Sequence, residues 1–202
     1  MRSTLLGVVI IAIPFAVSAC GQPQSSTSQT AAAEAPPPAD KAFVAGGTIN
    51  FDLDGGAYEI KPGTDSHIRV ALSGTIGNAR ADIAIDGSHA DVKVKDTPHN
   101  NFHAVIEVPA QADIVVRLAA GELKIGAVTG NKDVESYAGN VDVTGLHADD
   151  YARVDTAVKA GEIDAAPFGG SKSGLLQEFT WSGGGKYTLR AHLGAGNLVL
   201  AK

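Results

Sequence analysis

The chain has little of several things. Its 202 residues include one cysteine (Cys20) and one tryptophan (Trp181), and aromatic residues make up 5%. A lone thiol excludes an intrachain disulfide and a multi-thiolate metal cage, both of which need at least two cysteines. Lysine and arginine never gather into a block, and the formal charge is −6 at pH 7. Nucleic acid and anionic lipid headgroups therefore find no basic patch to bind. The uncharged run at residues 5–19 falls short of the ~20 apolar residues that a bilayer-spanning helix requires. Apolar residues at helical spacing are absent from the rest of the chain.

What is present starts at the N-terminus. Arg2 precedes the uncharged run, which contains Pro14, a residue unfavourable inside a helix. Residues 1–19 have the features of a cleaved export signal. The tetrapeptide Val17-Ser18-Ala19-Cys20 resembles the lipobox of bacterial lipoproteins, whose cysteine receives a diacylglyceryl group and becomes the first residue after cleavage. That resemblance implies lipidation at Cys20 and attachment to a membrane through the lipid. Gly21, rather than Asp, behind the cysteine implies the outer membrane. Loss of Arg2 with the signal takes the formal charge from −6 to −7. The segment 21–42 is polar, rich in small residues and carries Pro36, Pro37 and Pro38, so it cannot bury enough apolar surface to offset chain entropy. We expect residues 20–42 to be a lipidated cysteine plus a disordered tether reaching about 25 Å.

Residues 43–202 suffice for one domain with its own core. Strict alternation recurs through them: Ile49, Phe51 and Leu53 share one face, as do Ile68, Val70 and Leu72, then Ala81, Ile83 and Ile85, then Val92 and Val94. Turn signals such as Gly55-Gly56, Pro62-Gly63 and Asp86-Gly87 separate these runs. The pattern predicts an all-β domain.

The second half is repetitive. AGELKI at 120–125 recurs as AGNVDV at 138–143, AGEIDA at 160–165 and AGNLVL at 195–200, with glycines 18, 22 and 35 residues apart. One glycine and one short strand per unit of about 20 residues predict a β-solenoid of stacked parallel strands, with Leu123, Val141, Ile163 and Leu198 in one inward stack. The last interval is nearly twice the first, which predicts a coil that has lost its repeat around Ser182 to Gly185. A β-sandwich with similar hairpins is the alternative architecture. The same repeats, the Val108-Pro109 turn and the closing segment 186–198 resemble the bacterial putative adhesin domain, a family of unknown function often carried behind lipoprotein anchors. The resemblance spans residues 48–202 and implies a right-handed β-helix-like fold without established catalytic residues.

Catalytic chemistry is hard to assemble from the remaining motifs. Asp142, Asp155, Glu162 and Asp164 lie in the repeats and would need to approach one another for acid–base work on a polysaccharide. Surface solvation explains them equally well. His99 and His103 sit about 13 Å apart on an extended chain, too far for one metal ion, and only a tight turn at Asn100-Asn101 would bring them together. Ser66-His67 and Ser88-His89 are adjacent in sequence, which does not supply triad geometry. The glycine-rich runs 169–174 and 183–185 lack the phosphate-cradling pattern G-x-x-x-x-G-K-[ST] and are expected to be turns. Phe168, Phe179, Trp181 and Tyr187 flank them; Phe179, Trp181 and Tyr187 form a candidate contact patch, or cover the end of the core. No catalytic, cofactor or metal residue is assigned. The expectation is a non-enzymatic, lipid-anchored cell-envelope protein presenting a β-helical surface to a protein or glycan. The alternatives are a carbohydrate-active solenoid enzyme and a purely structural envelope component.

Overall fold

The structure, a computed structural model, describes residues 37–202. The expected signal peptide, Cys20 and the tether up to residue 36 lie outside the described residues. The expected tether end at residue 42 shifts. Ala39–Ala42 form strand β1, paired antiparallel with β4 (His67–Gly74). The Asp40 carboxylate accepts hydrogen bonds from Arg69 Nε at 3.1 Å and pairs with His67 Nδ1 at 2.6 Å. Four residues that look like linker are thus held as an edge strand by partners that follow later in the chain.

Alternation produces the next strands. In β2 (Thr48–Leu53), Ile49, Phe51 and Leu53 are buried, and in β6 (His89–Lys95), Ala90, Val92 and Val94 are buried. The strands β3 (Gly56–Pro62), β5 (Arg80–Asp86) and β7 (Phe102–Val108) complete the first half. The second half holds β8 (Asp113–Ile125), β9 (Lys132–Val143), β10 (Tyr151–Ala165), β11 (Gly170–Ser182) and β12 (Tyr187–Leu200). Among the described residues the only helical turns are two 3-10 segments, Ala148–Asp150 and Ala166–Phe168. The fold is all-β, built on one large mixed sheet.

Each of β8, β9, β10 and β12 has two legs that meet at an Ala-Gly corner. Buried Leu118 and buried Leu123 are separated by four residues, so the period-two alternation is interrupted and the chain turns. The turn needs glycine. Gly121, Gly139, Gly161 and Gly196 have φ of +120°, +127°, +146° and +127°, conformations that a Cβ disfavours. They also stack backbone on backbone. A Cβ on Gly139 would lie 1.8 Å from the Gly121 carbonyl oxygen, one on Gly196 equally close to Gly139, and one on Gly161 equally close to Gly196.

The register shows how the halves join. The first leg of β8 pairs in parallel with β2 and its second leg with β3, so β2 and β3 act as a two-legged strand broken at Asp54-Gly55. Beyond β8 the spatial order is β9, β12, β10, β11. The inward stack therefore reads Leu123, Val141, Leu198, Ile163, with the last two exchanged relative to the chain-order expectation. All four are at most 1% exposed. Burying each such side chain contributes roughly 1.5–3 kcal/mol.

The 35-residue interval also needs correction. It holds no degenerate coil: β11 runs back antiparallel along β10, and the Gly183–Gly185 turn then delivers β12 to the opposite side of β10. Residues 170–174, expected to be part of a turn, belong to β11.

Candidate functional site

On the first legs, the alternate positions that do not enter the core carry charge in a regular lattice. Register places Arg117 of β8 beside Glu135 of β9, Arg190 of β12 beside Asp133 of β9, and Asp155 of β10 beside Arg190. Arg117 Nε lies 3.1 Å from Glu135, and Arg190 reaches Glu135 at 3.4 Å and Asp133 at 3.6 Å. At the sheet's other flank, Lys95 Nζ donates to Asp52 at 2.8 Å and to Asp54 at 3.0 Å. These two carboxylates hold the Lys95 ammonium pKa above its ordinary value, against partial desolvation. Exposed pairs of this kind add little stability each. Their effect here is to set donors and acceptors side by side along the face.

Where this face meets the corners there is a groove of about 580 Å³. The residue immediately before each Ala-Gly pair stands there: Ala119 in β8, Tyr137 in β9, Gly194 in β12 and Lys159 in β10. Three of the four are small or flexible, so Tyr137 is left standing alone and is 82% exposed. A Cβ at Gly194 would sit 2.3 Å from the Tyr137 carbonyl oxygen, so glycine is what allows β12 to close against β9 at this point. Sequence reasoning missed Tyr137. Aligning the four repeats on their Ala-Gly pairs and reading one position upstream would have found it.

The residues singled out from sequence sit elsewhere. Phe179, Trp181 and Tyr187 are partly buried and packed on the core. Trp181 lies 5.1 Å from the ring of buried Phe168, and Tyr151 makes edge contacts with Phe168 and Tyr187. Glu162 and Asp164 share β10, two residues apart, and β12 lies between them and Asp142. Val199 of β12 stands between Asp142 and Asp164, and Asn197 stands between Asn140 and Glu162. Asp155 lies on the other leg, 3.6 Å from His192 and 3.1 Å from Arg153. His67 pairs with Asp40 rather than Ser66. His99 and His103 border one shallow depression, and among the described residues no group of three His, Cys, Asp or Glu side chains is placed to hold a metal ion.

Lys132 is the second residue that sequence reasoning missed. It occupies an inward position in register with Ile114 and Leu189 and is 3% exposed. Its ammonium donates to the Val128 carbonyl at 2.7 Å, to the Gly130 carbonyl at 3.3 Å and to the Tyr151 hydroxyl at 2.9 Å. Burial lowers its pKa to about 8, against the opposing pull of Asp113 and Asp150. It ties the β8–β9 connection to the start of β10.

No protein-family model matches the chain, and no curated protein does. Solved structures do. A putative cell adhesion protein from Clostridium sporogenes is 12% identical, aligns over 82% of this chain and 99% of its own, and superposes with a TM-score of 0.53. A putative adhesin from Parabacteroides merdae, 12% identical over 62% of this chain and 65% of its own, gives 0.24. One from Bacteroides fragilis, 8% identical over 81% of this chain and 96% of its own, gives 0.27. The first of these likenesses is one of fold.

Proposed function

We propose that this protein is a non-catalytic surface-contact protein of the bacterial cell envelope, held there by a lipid on Cys20 and reaching outward through its β domain. The observation that carries the reading is Tyr137, an exposed aromatic ring in a groove on a face lined by ion pairs such as Arg117–Glu135. The fold shared with a putative cell adhesion protein supports it. We read the four parallel second-half strands, in one register around a glycine column, as the stacked edge of a β-solenoid-like body closed by the β11 hairpin. Anchoring would supply the high local concentration that weak, repeated contacts require.

Two measurements test this. Cys20→Ala should abolish metabolic labelling by fatty acid and leave an unprocessed precursor; persistent labelling would remove the anchor. The purified full chain should leave envelope polysaccharides intact on prolonged incubation, and turnover of any of them would overturn the non-enzymatic reading.

A further inference from the structure

Four features of the Tyr137 groove narrow what it can bind. The first is the ring itself, 82% exposed and flanked in its row by Ala119 and Gly194, so that a flat ligand meets no neighbouring side chain as it approaches. The second is charge. The lining carries three carboxylates (Asp52, Asp54, Glu135) and three cations (Lys95, Arg117, Lys159), which sum to zero. An anionic or cationic ligand gains nothing net from such a lining, whereas an uncharged one is not penalised.

The third feature is hydrogen-bonding capacity. Carboxylates and guanidinium groups set side by side accept from, and donate to, neighbouring hydroxyls in bidentate fashion. The fourth concerns the backbone. β9 and β12 are interior strands, paired on both sides, so an extended peptide has no free edge here to add to. The apolar lining residues Leu53, Leu118 and Leu193 are buried beneath the surface, which leaves no apolar trough for an amphipathic helix.

We propose that the groove binds an uncharged saccharide, with the Tyr137 ring stacked on the carbon–hydrogen face of one sugar unit and the surrounding ion pairs hydrogen-bonded to its hydroxyls. The inference rests on the surface-contact reading above and names the ligand class for it. Tyrosine suits this task because its face is apolar and its rim is wet, and it loses little rotational freedom on binding. Lys159, for which no carboxylate partner is found among the described residues, closes the row on the far side of Gly194 and is free to donate to a ring or hydroxyl oxygen.

The test uses the purified full chain, isotopically labelled, titrated with maltohexaose, cellohexaose and mannohexaose, and with oligogalacturonate as an anionic comparison. At least one neutral oligosaccharide should shift the amide signals of Tyr137, Ala119 and Gly194. Tyr137→Ala should weaken that binding at least tenfold, Tyr137→Phe should hold it within about threefold, and oligogalacturonate should bind at least tenfold more weakly. No shift with any of the three neutral sugars, equal binding by Tyr137→Ala, or preference for the anionic sugar would each overturn the saccharide assignment. Attachment of the same full chain to intact bacterial cells separates this failure from that of the wider reading. Attachment that is lost in Tyr137→Ala while no neutral sugar binds would point to a protein partner on the same surface. Attachment no better than that of an unrelated protein would remove the surface-contact reading itself.

Discussion

The glycine column and the row one step outside it lie two residues apart in every repeat, yet they are under opposite constraints. In the column, Gly121, Gly139, Gly196 and Gly161 repeat without variation, each at positive φ and each pressed against the backbone of the next. In the row, the same four strands offer Ala119, Tyr137, Gly194 and Lys159, which share neither size nor charge. The column makes the corner possible, because no side chain fits between strands stacked at about 4.8 Å. The row rides on that corner and faces water. How the chain folds is written in the column, and the contact surface we propose is written in the row.

Breaking the column should have the largest effect. Gly196→Ala puts a methyl group 1.8 Å from the Gly139 carbonyl oxygen at φ +127°, in the strand that joins β9 to β10. The chain cannot relax without parting two parallel ladders at once. We expect a loss of about 4 kcal/mol or more, seen as a collapse of the urea midpoint or as failure to accumulate folded protein. A loss under about 1 kcal/mol would mean that the corner tolerates a side chain and that the contrast between column and row is false.

The column was readable in advance, because an Ala-Gly pair followed by alternating apolar residues is a period that can be counted. So were the faces of β2 and β6, where Ile49, Phe51, Leu53, Val92 and Val94 alternate without interruption. Strand order was not readable, for a physical reason. Ile163 and Leu198 fit the same inward place equally well, and AGEIDA and AGNLVL are interchangeable as ladder partners. The choice is made by β11, whose GSKSGLLQEFTWS sequence has no Ala-Gly corner and resembles a glycine loop followed by scattered aromatics. Once β11 lies antiparallel on one side of β10, the other side is left for β12. The aromatic neighbours were legible as a group, but their packing depends on that same hairpin. Lys132 was missed for another reason: it is in phase with Val134, yet a lysine among alternating residues reads as solvated until its register partners are known.

Lys132 sharpens the comparison from the inner side, since it is a charge held where the ladder otherwise holds Ile114 and Leu189. An unfolded lysine titrates near 10.5, and burial brings this one to about 8. Below pH 8 both states carry the proton and the cost of burying it is constant. Between those values the unfolded chain keeps a proton that the folded chain has released, so stability rises with pH. The buried phenols of Tyr58 and Tyr151 titrate above their ordinary value, so they oppose this trend once the pH passes 10. We expect unfolding free energy to rise by about 2 kcal/mol from pH 8 to pH 10 at about 1.36 kcal/mol per unit, followed by a decline. Lys132→Met should flatten the rise in urea melts taken across that range. A rise that survives the substitution would assign it to another group.

The smallest effect on stability is the most telling, because it compares two aromatic rings of the same domain. Trp181 lies against Phe168 and fills the space that Gly183 leaves open, where a Cβ would stand 2.1 Å from the indole. Trp181→Ala removes a partly buried ring and should cost about 2 kcal/mol, below the 3–5 kcal/mol typical of fully buried aromatics. Tyr137→Ala removes a ring that packs on almost nothing and should leave the melting midpoint unchanged to within about 0.5 kcal/mol. For contact the ranking should invert, with Tyr137→Ala weakening oligosaccharide binding at least tenfold and Trp181→Ala sparing it in whatever fraction remains folded. A Tyr137 variant as destabilised as the Trp181 variant would make the ring part of the core, and the row would lose its claim to function. Such an exposed ring contributes almost nothing to stability, so a variant that loses contact while keeping its melting midpoint would assign the ring to ligand binding rather than to packing.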